Sequence, residues 1–294
     1  NREGLEINRT QISSMQNNLF STINFNKEYN DIHSISAIGG LQLETFKVQN
    51  MFSRRSEPPK EGLTQVDAGT SGIQGEGNMN GFRIFSYFGR ANYTLMSKYL
   101  FEANVRADAS SRFNKANRWG VFPGFSAGWR LSEEDFIKDI SAISNLKVRA
   151  SWGQLGNQNI SGYWPYLTVI GQNNNLSYSY NGSFSPGAAV TALVDQNITS
   201  ASLDIGLEVG VLDDMITLEA DYFQKTTKDI LVQLPIPSVM GGISSPYENV
   251  GEMSNNGVEF ILNYNNLKFD RDQLGFNMGL NMTYIQNEVT KFRG

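Results

Sequence analysis

The chain has 294 residues, a formal net charge of −5, no cysteine, one histidine, 28 glycines and 12% aromatic side chains. Without cysteine there are no disulfides, thiolate metal sites or cysteine nucleophiles, a lone His33, read as a structural or surface residue, excludes a multi-histidine metal centre and speaks against a Ser-His-Asp triad, and scattered Lys and Arg in an acidic chain speak against nucleic acid. No apolar run approaches the roughly 18 residues of a spanning helix, while the mean hydropathy of −0.34 decides nothing about a membrane barrel, where only alternate strand residues meet lipid.

Taken in chain order, alternation of apolar and polar residues predicts strands at Leu19 to Phe25 and Ile35 to Leu43, with KEYND as a brief turn between them. From Val48 to Gly81 the glycines, Pro58 and Pro59 predict an extended, exposed loop, and Arg54 and Arg55 in it are candidates to face a ligand or a protein lid. Strands follow at Phe82 to Leu95, Leu100 to Ala109 and Trp119 to Trp129. Ser132 with Asp135 matches a capping box, and Phe136, Ile137, Ile140 and Ile143 share a helical face, so a short helix is expected near 133–143.

After a strand at Leu146 to Trp152, the segment from Gly153 to Ala201 reads as the longest loop. GQLGNQ at its start lies between a strand and a loop, not a strand and a helix, so it is no phosphate cradle. Tyr163, Trp164 and Tyr166 within it carry rings that could stack on sugar faces or pack against a lid.

The clearest pattern follows, SLDIGLEVGVLDDMITLEADYF from Ser202 to Phe223. A turn centred on Asp213 and Asp214 sets Val211 against Ile216, Val209 against Leu218, Leu207 against Ala220 and Ile205 against Tyr222. The opposite face then carries Asp204, Glu208, Glu219 and Asp221, with Glu208 facing Glu219, a pairing that needs water or countercharge. These four acids are read as the solvated wall of a barrel lumen, not as a calcium site, because no tight loop gathers their oxygens.

Gln224 to Gly257 reads as another extended connection, with final strands at Val258 to Tyr264 and Leu274 to Tyr284. Ten strands result, several long enough to cross a bilayer, joined alternately by brief and extended connections as in outer-membrane barrels, save that Ser110 to Arg118 is modest where a long loop is due and Ser132 to Asn145 is longer than a turn. The expected fold is all-β, an antiparallel transmembrane β-barrel, with the short helix and the Asp213–Asp214 turn on the periplasmic side and the long loops outside. Trp119, Trp129, Tyr93, Tyr99 and Tyr284 are placed as interfacial girdle residues. The chain starts at Asn1 without an initiator methionine and stops at Gly294 beside a strand-like run, so residues 1–294 are expected to form one partial barrel domain. Ten strands in lipid would leave bare edges, which further strands must close.

ADASSRFNKANRWGVFPGFSAGWRLSEEDF, from Ala107 to Phe136, resembles the barrel of SusC/RagA-family TonB-dependent transporters of Bacteroidetes. LKVRASWGQLGNQNI from Leu146, DYFQKTTKDIL from Asp221 and NVGEMSNNGVEF from Asn249 extend the resemblance, whereas Thr199 and Ser200 depart from the Trp-Glu pair of many members. The resemblance implies a 22-stranded barrel with a plug that this chain lacks. It further implies import of oligosaccharides or peptides, a SusD-like surface lipoprotein as lid, energy from TonB through the plug, and neither cofactor nor catalytic residue. The alternatives are a barrel that only docks another surface machine, an outer-membrane enzyme, and a soluble β-sandwich. A bound ligand with a SusD-like partner, loss of hydrolysis on mutation, and detergent dependence respectively separate them.

Overall fold

The computed structural model describes residues 5–158, 162–164, 170–180, 183–190, 198–233, 247–266 and 275–292. Twelve strands follow in chain order: β1 Glu6–Tyr29, β2 His33–Ser56, β3 Ser71–Leu95, β4 Tyr99–Ser110, β5 Trp119–Arg130, β6 Ile143–Asn157, β7 Ile170–Tyr180, β8 Ser183–Val190, β9 Ile198–Val211, β10 Ile216–Gln233, β11 Tyr247–Asn266 and β12 Phe276–Phe292. Ten of them form one antiparallel sheet in the order β1-β2-β3-β4-β5-β6-β9-β10-β11-β12, and β7 pairs only with β8. Within the large sheet the strands follow chain order as an up-and-down meander, interrupted only where the β7–β8 hairpin separates β6 from its neighbour β9.

The hairpin β9–β10 has the expected register in every named pair, including Glu208 with Glu219 and Ile205 with Tyr222. Leu212, Asp213 and Asp214 all take positive φ (57, 57 and 58°), which tightens the turn enough to keep the ladder in step. Its apolar side chains are not buried within the chain: Ile205 is 46% exposed and Tyr222 44%. A row of exposed aliphatic and aromatic residues running along a whole sheet face is what a soluble sheet must cover and a lipid-facing sheet need not.

That apolar face continues across the sheet. Trp119, Val121, Phe125, Ala127 and Trp129 alternate along β5 with Gly120, Phe122, Gly124, Ser126 and Gly128 on the polar face. Trp119 stacks on Tyr87 at 5.8 Å and Trp129 on Tyr99 at 6.1 Å, so two aromatic rows bracket the apolar band. The two tryptophans stand about ten positions apart, roughly 33 Å along the strand and about 25 Å after a tilt near 40°, the height of a barrel's lipid-facing band. Tyr284, expected beside a strand end, lies instead midway along β12.

The strands are longer than the alternation alone suggests. Val48 to Gly81, expected as a loop, is mostly ladder: β2 reaches Ser56, β3 begins at Ser71, and only 57–70 connects them. The register fixed lower down by strong pairs such as Leu43 with Phe85 carries the weakly patterned upper residues along with it. Gln224 to Gly257 is likewise shortened by β10 and β11, and the supposed loop from Gly153 to Ala201 contributes to β6 and β9 and contains the β7–β8 hairpin. The helix expected over 133–143 shrinks to a 3-10 turn at Leu131–Glu133 and one α turn, α1, at Asp135–Lys138. No side chain caps it, because Glu134, not Ser132, occupies its N-cap position and the capping box does not form.

Large rings lie over glycines of neighbouring strands on the polar face. Phe88 covers Gly40 and Phe223 covers Gly257, where an added Cβ would meet the ring and a backbone carbonyl of the next strand. Each aromatic thus fills the gap that its glycine leaves and pins the local register.

Candidate functional site

Candidate groups gather on the polar face at three heights. Nearest the long-connection end, SSRF of the motif makes a tight turn after β4. Ser111 donates its N–H to the Arg83 carbonyl (2.9 Å), Phe113 is completely buried, and Arg112 swings across the sheet. Its guanidinium lies 4.7 Å from the Phe82 ring centre and 5.2 Å from that of Tyr163. Phe46 stacks on both, at 5.4 Å from Phe82 and 6.3 Å from Tyr163, while Trp164 tilts against Tyr163 and stays 44% exposed. The result is an aromatic shelf held by cation–π contact, with one indole free to stack on a flat or apolar group.

Tyr163 and Trp164, candidates from the sequence to stack on sugars or pack against a lid, thus lie on a platform along the sheet that the sequence did not identify. Tyr166 lies outside the described residues. Arg54 and Arg55 do not sit on a loop. They are strand residues near the tip of the β2–β3 hairpin, where Arg54 pairs with Glu6 (3.2 Å) and Arg55 donates to the carbonyls of Asp67 (3.1 Å) and Gly69 (3.2 Å). Both brace the tip, because a guanidinium beside open carbonyls satisfies them better than it would a distant ligand.

Below the shelf, Arg106 donates to Asp108 (2.7 Å), to the Gln42 carbonyl oxygen (2.8 Å) and to the hydroxyl of fully buried Ser86 (2.9 Å), joining β2, β3 and β4.

The third tier is ionic. Arg149 on β6 reaches Asp204 (3.4 Å) and Glu208 (3.2 Å) on β9 and Asp221 (2.7 Å) on β10, and Lys147 pairs with Glu208 (3.0 Å). Gly206 makes this span possible. It stands opposite both Arg149 and Asp221, and any side chain there would meet the guanidinium and the carboxylate. Three of the four acids singled out from sequence thus share one cation, while Glu219 forms no ion pair among the described residues. The repulsion between Glu208 and Glu219 is met by countercharge from β6 as well as by solvent. Lys147 and Arg149 went unrecognised in the sequence. Their alternation with Val148 and Ala150 put them on the polar face, but the long connection to β9 left the β6–β9 register undetermined.

At the short-connection end, outside the apolar band, Glu134 accepts hydrogen bonds from Tyr99 Oη (2.7 Å), Lys98 Nζ (3.0 Å) and Trp129 Nε1 (3.0 Å). These donors, Tyr99 first, hold its carboxyl at a pKa of about 2. The folded-state value is depressed, so the clasp stabilises fully above the ordinary glutamate range near 4.3 and is lost as pH falls toward the folded value. Melting of wild-type protein and Glu134→Gln should therefore differ at pH 7 and converge toward pH 2. A difference that persists unchanged at the acid end would mean the carboxylate charge is irrelevant to the clasp.

The family model described as "TonB dependent receptor-like, beta-barrel" matches residues 4–294. Among curated proteins, the TonB-dependent receptor SusC of Bacteroides thetaiotaomicron is 34% identical over 215 residues, 72% of this chain and 21% of that protein. TonB-dependent receptor P3 of Formosa agariphila is 31% identical over 274 residues, 92% of this chain and 27% of that protein. This chain thus spans about a quarter or less of the length of these curated relatives. Among solved structures, the RagAB peptide transporter superposes with a TM-score of 0.84 at 22% identity, covering 98% of this chain and 31% of that chain, which speaks to the fold.

Proposed function

This chain belongs to the TonB-dependent receptor-like β-barrel family and is an integral outer-membrane protein, and we propose that it forms part of the barrel wall of a SusC-like importer of oligosaccharides or peptides. The family is one of transporters, not enzymes. In this reading the exposed apolar face of the ten-stranded sheet meets lipid, and the polar face lines the lumen. The short connections, the Asp213–Asp214 turn and the Glu134 clasp then lie in the periplasm, and the hairpin tip with Arg54 and Arg55 projects outside. Strands β1 and β12 pair on one side only among the described residues, so further strands complete the barrel.

The observation that carries the reading is the division of the sheet into a predominantly apolar face and a face bearing the aromatic shelf, the Arg106 network and the Arg149 cluster. A polar, charged wall passes hydrated cargo, and stacked rings at its mouth offer weak, sequence-tolerant contacts to sugar faces or peptide side chains. Phe46, Phe82, Tyr163 and Trp164 take the role of first contact beneath a SusD-like lid, and TonB acts through a plug domain. No cofactor is needed. RagAB is described as a peptide transporter and SusC as a TonB-dependent receptor, and both cargo classes fit this shelf.

The test is uptake by cells carrying the full-length gene together with a SusD-like lipoprotein, using fluorescent oligosaccharides and peptides, with and without TonB. The reading predicts TonB-dependent uptake of one class and its reduction several-fold by Trp164→Ala with Tyr163→Ala at unchanged protein level. Normal assembly with a different surface complex and no TonB-dependent uptake of either class would favour the docking role instead.

A further inference from the structure

The apolar face is not uniform. Between its two aromatic rows lies a groove of about 660 Å³ whose floor is Ala91, Ala103, Ala127 and Ala150. Cross-strand pairing explains the shape: Ala91 faces Ala103 on β3 and β4, Ala127 faces Ala150 on β5 and β6, and the two small pairs are offset by one step of the apolar face. Large residues fill the other corners. Tyr93 stacks on Phe101 at 6.4 Å with planes 17° apart, and Phe125 stacks on Trp152 at 6.3 Å with planes 12° apart. Ile35 and Leu203 close the two ends. The walls are rings held by each other, so the groove is a preformed shape and not a gap between mobile aliphatic chains.

We propose that this groove holds one acyl chain of a phospholipid from the periplasmic leaflet as a resident lipid. The proposal rests on the orientation given above, in which the apolar face meets the bilayer, and not on the identity of the cargo. Three observations select this occupant. The groove lies within the surface that contacts the bilayer, so its filling is continuous with that interface. Ala127 is two positions from Trp129 and eight from Trp119 on β5, which puts the groove nearer the short-connection, periplasmic row and so beside phospholipid instead of the external glycolipid. The polar residues bordering it, Asn92, Glu102, Ser126 and Ser151, all belong by strand alternation to the opposite face, where Asn92 donates to Ser36 and Glu102 accepts from Asn104, leaving hydrocarbon as the matching chemistry. Lipid tails are as apolar as the groove, so retention comes from close packing in a shaped slot and is lost when the slot is filled.

The test uses full-length protein reconstituted in phosphatidylethanolamine vesicles containing a few per cent of a phospholipid with a photoreactive diazirine in mid-chain. After illumination, labelled peptides are located by mass spectrometry. Labelling of the peptides spanning Ala91 to Ala103 and Phe125 to Trp152 is expected to exceed, several-fold per exposed apolar residue, that of the β9–β10 hairpin from Ile205 to Tyr222, whose apolar residues are also exposed but do not line the groove. Ala103→Phe with Ala127→Leu should bring it down to the hairpin level while hairpin labelling stays unchanged, and the milder Ala150→Leu alone should lower it if the double variant does not assemble. Even labelling in the wild-type protein overturns the proposal. So does groove labelling that ignores both variants, or a change of oligomeric mass on filling, which would assign the groove to a second copy of the protein. Absence of label from hairpin and groove alike would instead contradict the orientation on which the proposal rests.

Discussion

Ile205→Arg is expected to destabilise the folded protein in bilayers by up to about 2–4 kcal/mol, the cost of a guanidinium on the lipid side at the membrane midplane, which falls toward the interfaces. Ile205 stands on β9 six positions from Val211, well inside the apolar band, and faces Tyr222 across the hairpin. Ser151→Arg, on the adjacent strand but on the polar face opposite Asp204, should cost little and places a new cation beside a carboxylate. The contrast is the informative quantity: the same side chain a few ångströms away, through the thickness of one sheet, meets hydrocarbon in one case and water in the other. Urea unfolding of the full-length protein in lipid measures both. Equal losses at the two positions would mean that the sheet has no lipid side.

Arg149→Ala is expected to cost about 1.5–3 kcal/mol, the range for hydrogen bonds to charged groups. The estimate lies between that for exposed ion pairs, about 0–1 kcal/mol, and the 3–5 kcal/mol for breaking a fully buried pair, because the Arg149 side chain is 36% exposed while Asp221 is only 13% exposed. Removing the cation leaves Asp204, Glu208 and Asp221 facing one another with Lys147 alone, so the loss should grow at low salt. Arg149→Lys should recover part of it, since an ammonium keeps the charge but cannot fork toward two strands. Gly206→Val should mimic the loss without touching a charged residue, by occupying the space the guanidinium crosses. If Gly206→Val is neutral while Arg149→Ala is not, the bridging geometry is wrong even if the charge matters.

The sequence made the β9–β10 hairpin legible to single-residue register because a short acidic turn and uninterrupted alternation constrain each other. The same reasoning placed the ten sheet strands and the alternation of short and long connections. It stopped where local signals weaken. Upper β2 and β3, with Arg54, Arg55 and several glycines, look like a loop in isolation and are strands only because pairs closer to the membrane propagate their register. The helix was overread for a related reason: four apolar residues at helical spacing do not outweigh the bonds that Glu134 draws from Tyr99, Trp129 and Lys98, which place that residue at the N-cap position. The mouth shelf joins Phe46, Phe82, Arg112 and Tyr163 from four separate stretches of chain, and nothing in one dimension brings those together.

The orientation of the sheet is the claim on which the transport reading and the lipid groove both depend. The chain contains no cysteine, so single cysteines at each position from Leu203 to Val211, carrying a nitroxide in lipid-reconstituted full-length protein with any cysteine outside these residues replaced, report each side chain's surroundings directly. The account predicts a strict two-residue period, with Leu203, Ile205, Leu207 and Val209 relaxed by oxygen, which partitions into lipid, and Asp204, Gly206, Glu208 and Gly210 relaxed by a water-soluble nickel chelate. Alternation of the opposite phase, or equal access of the chelate to both sets, would contradict it.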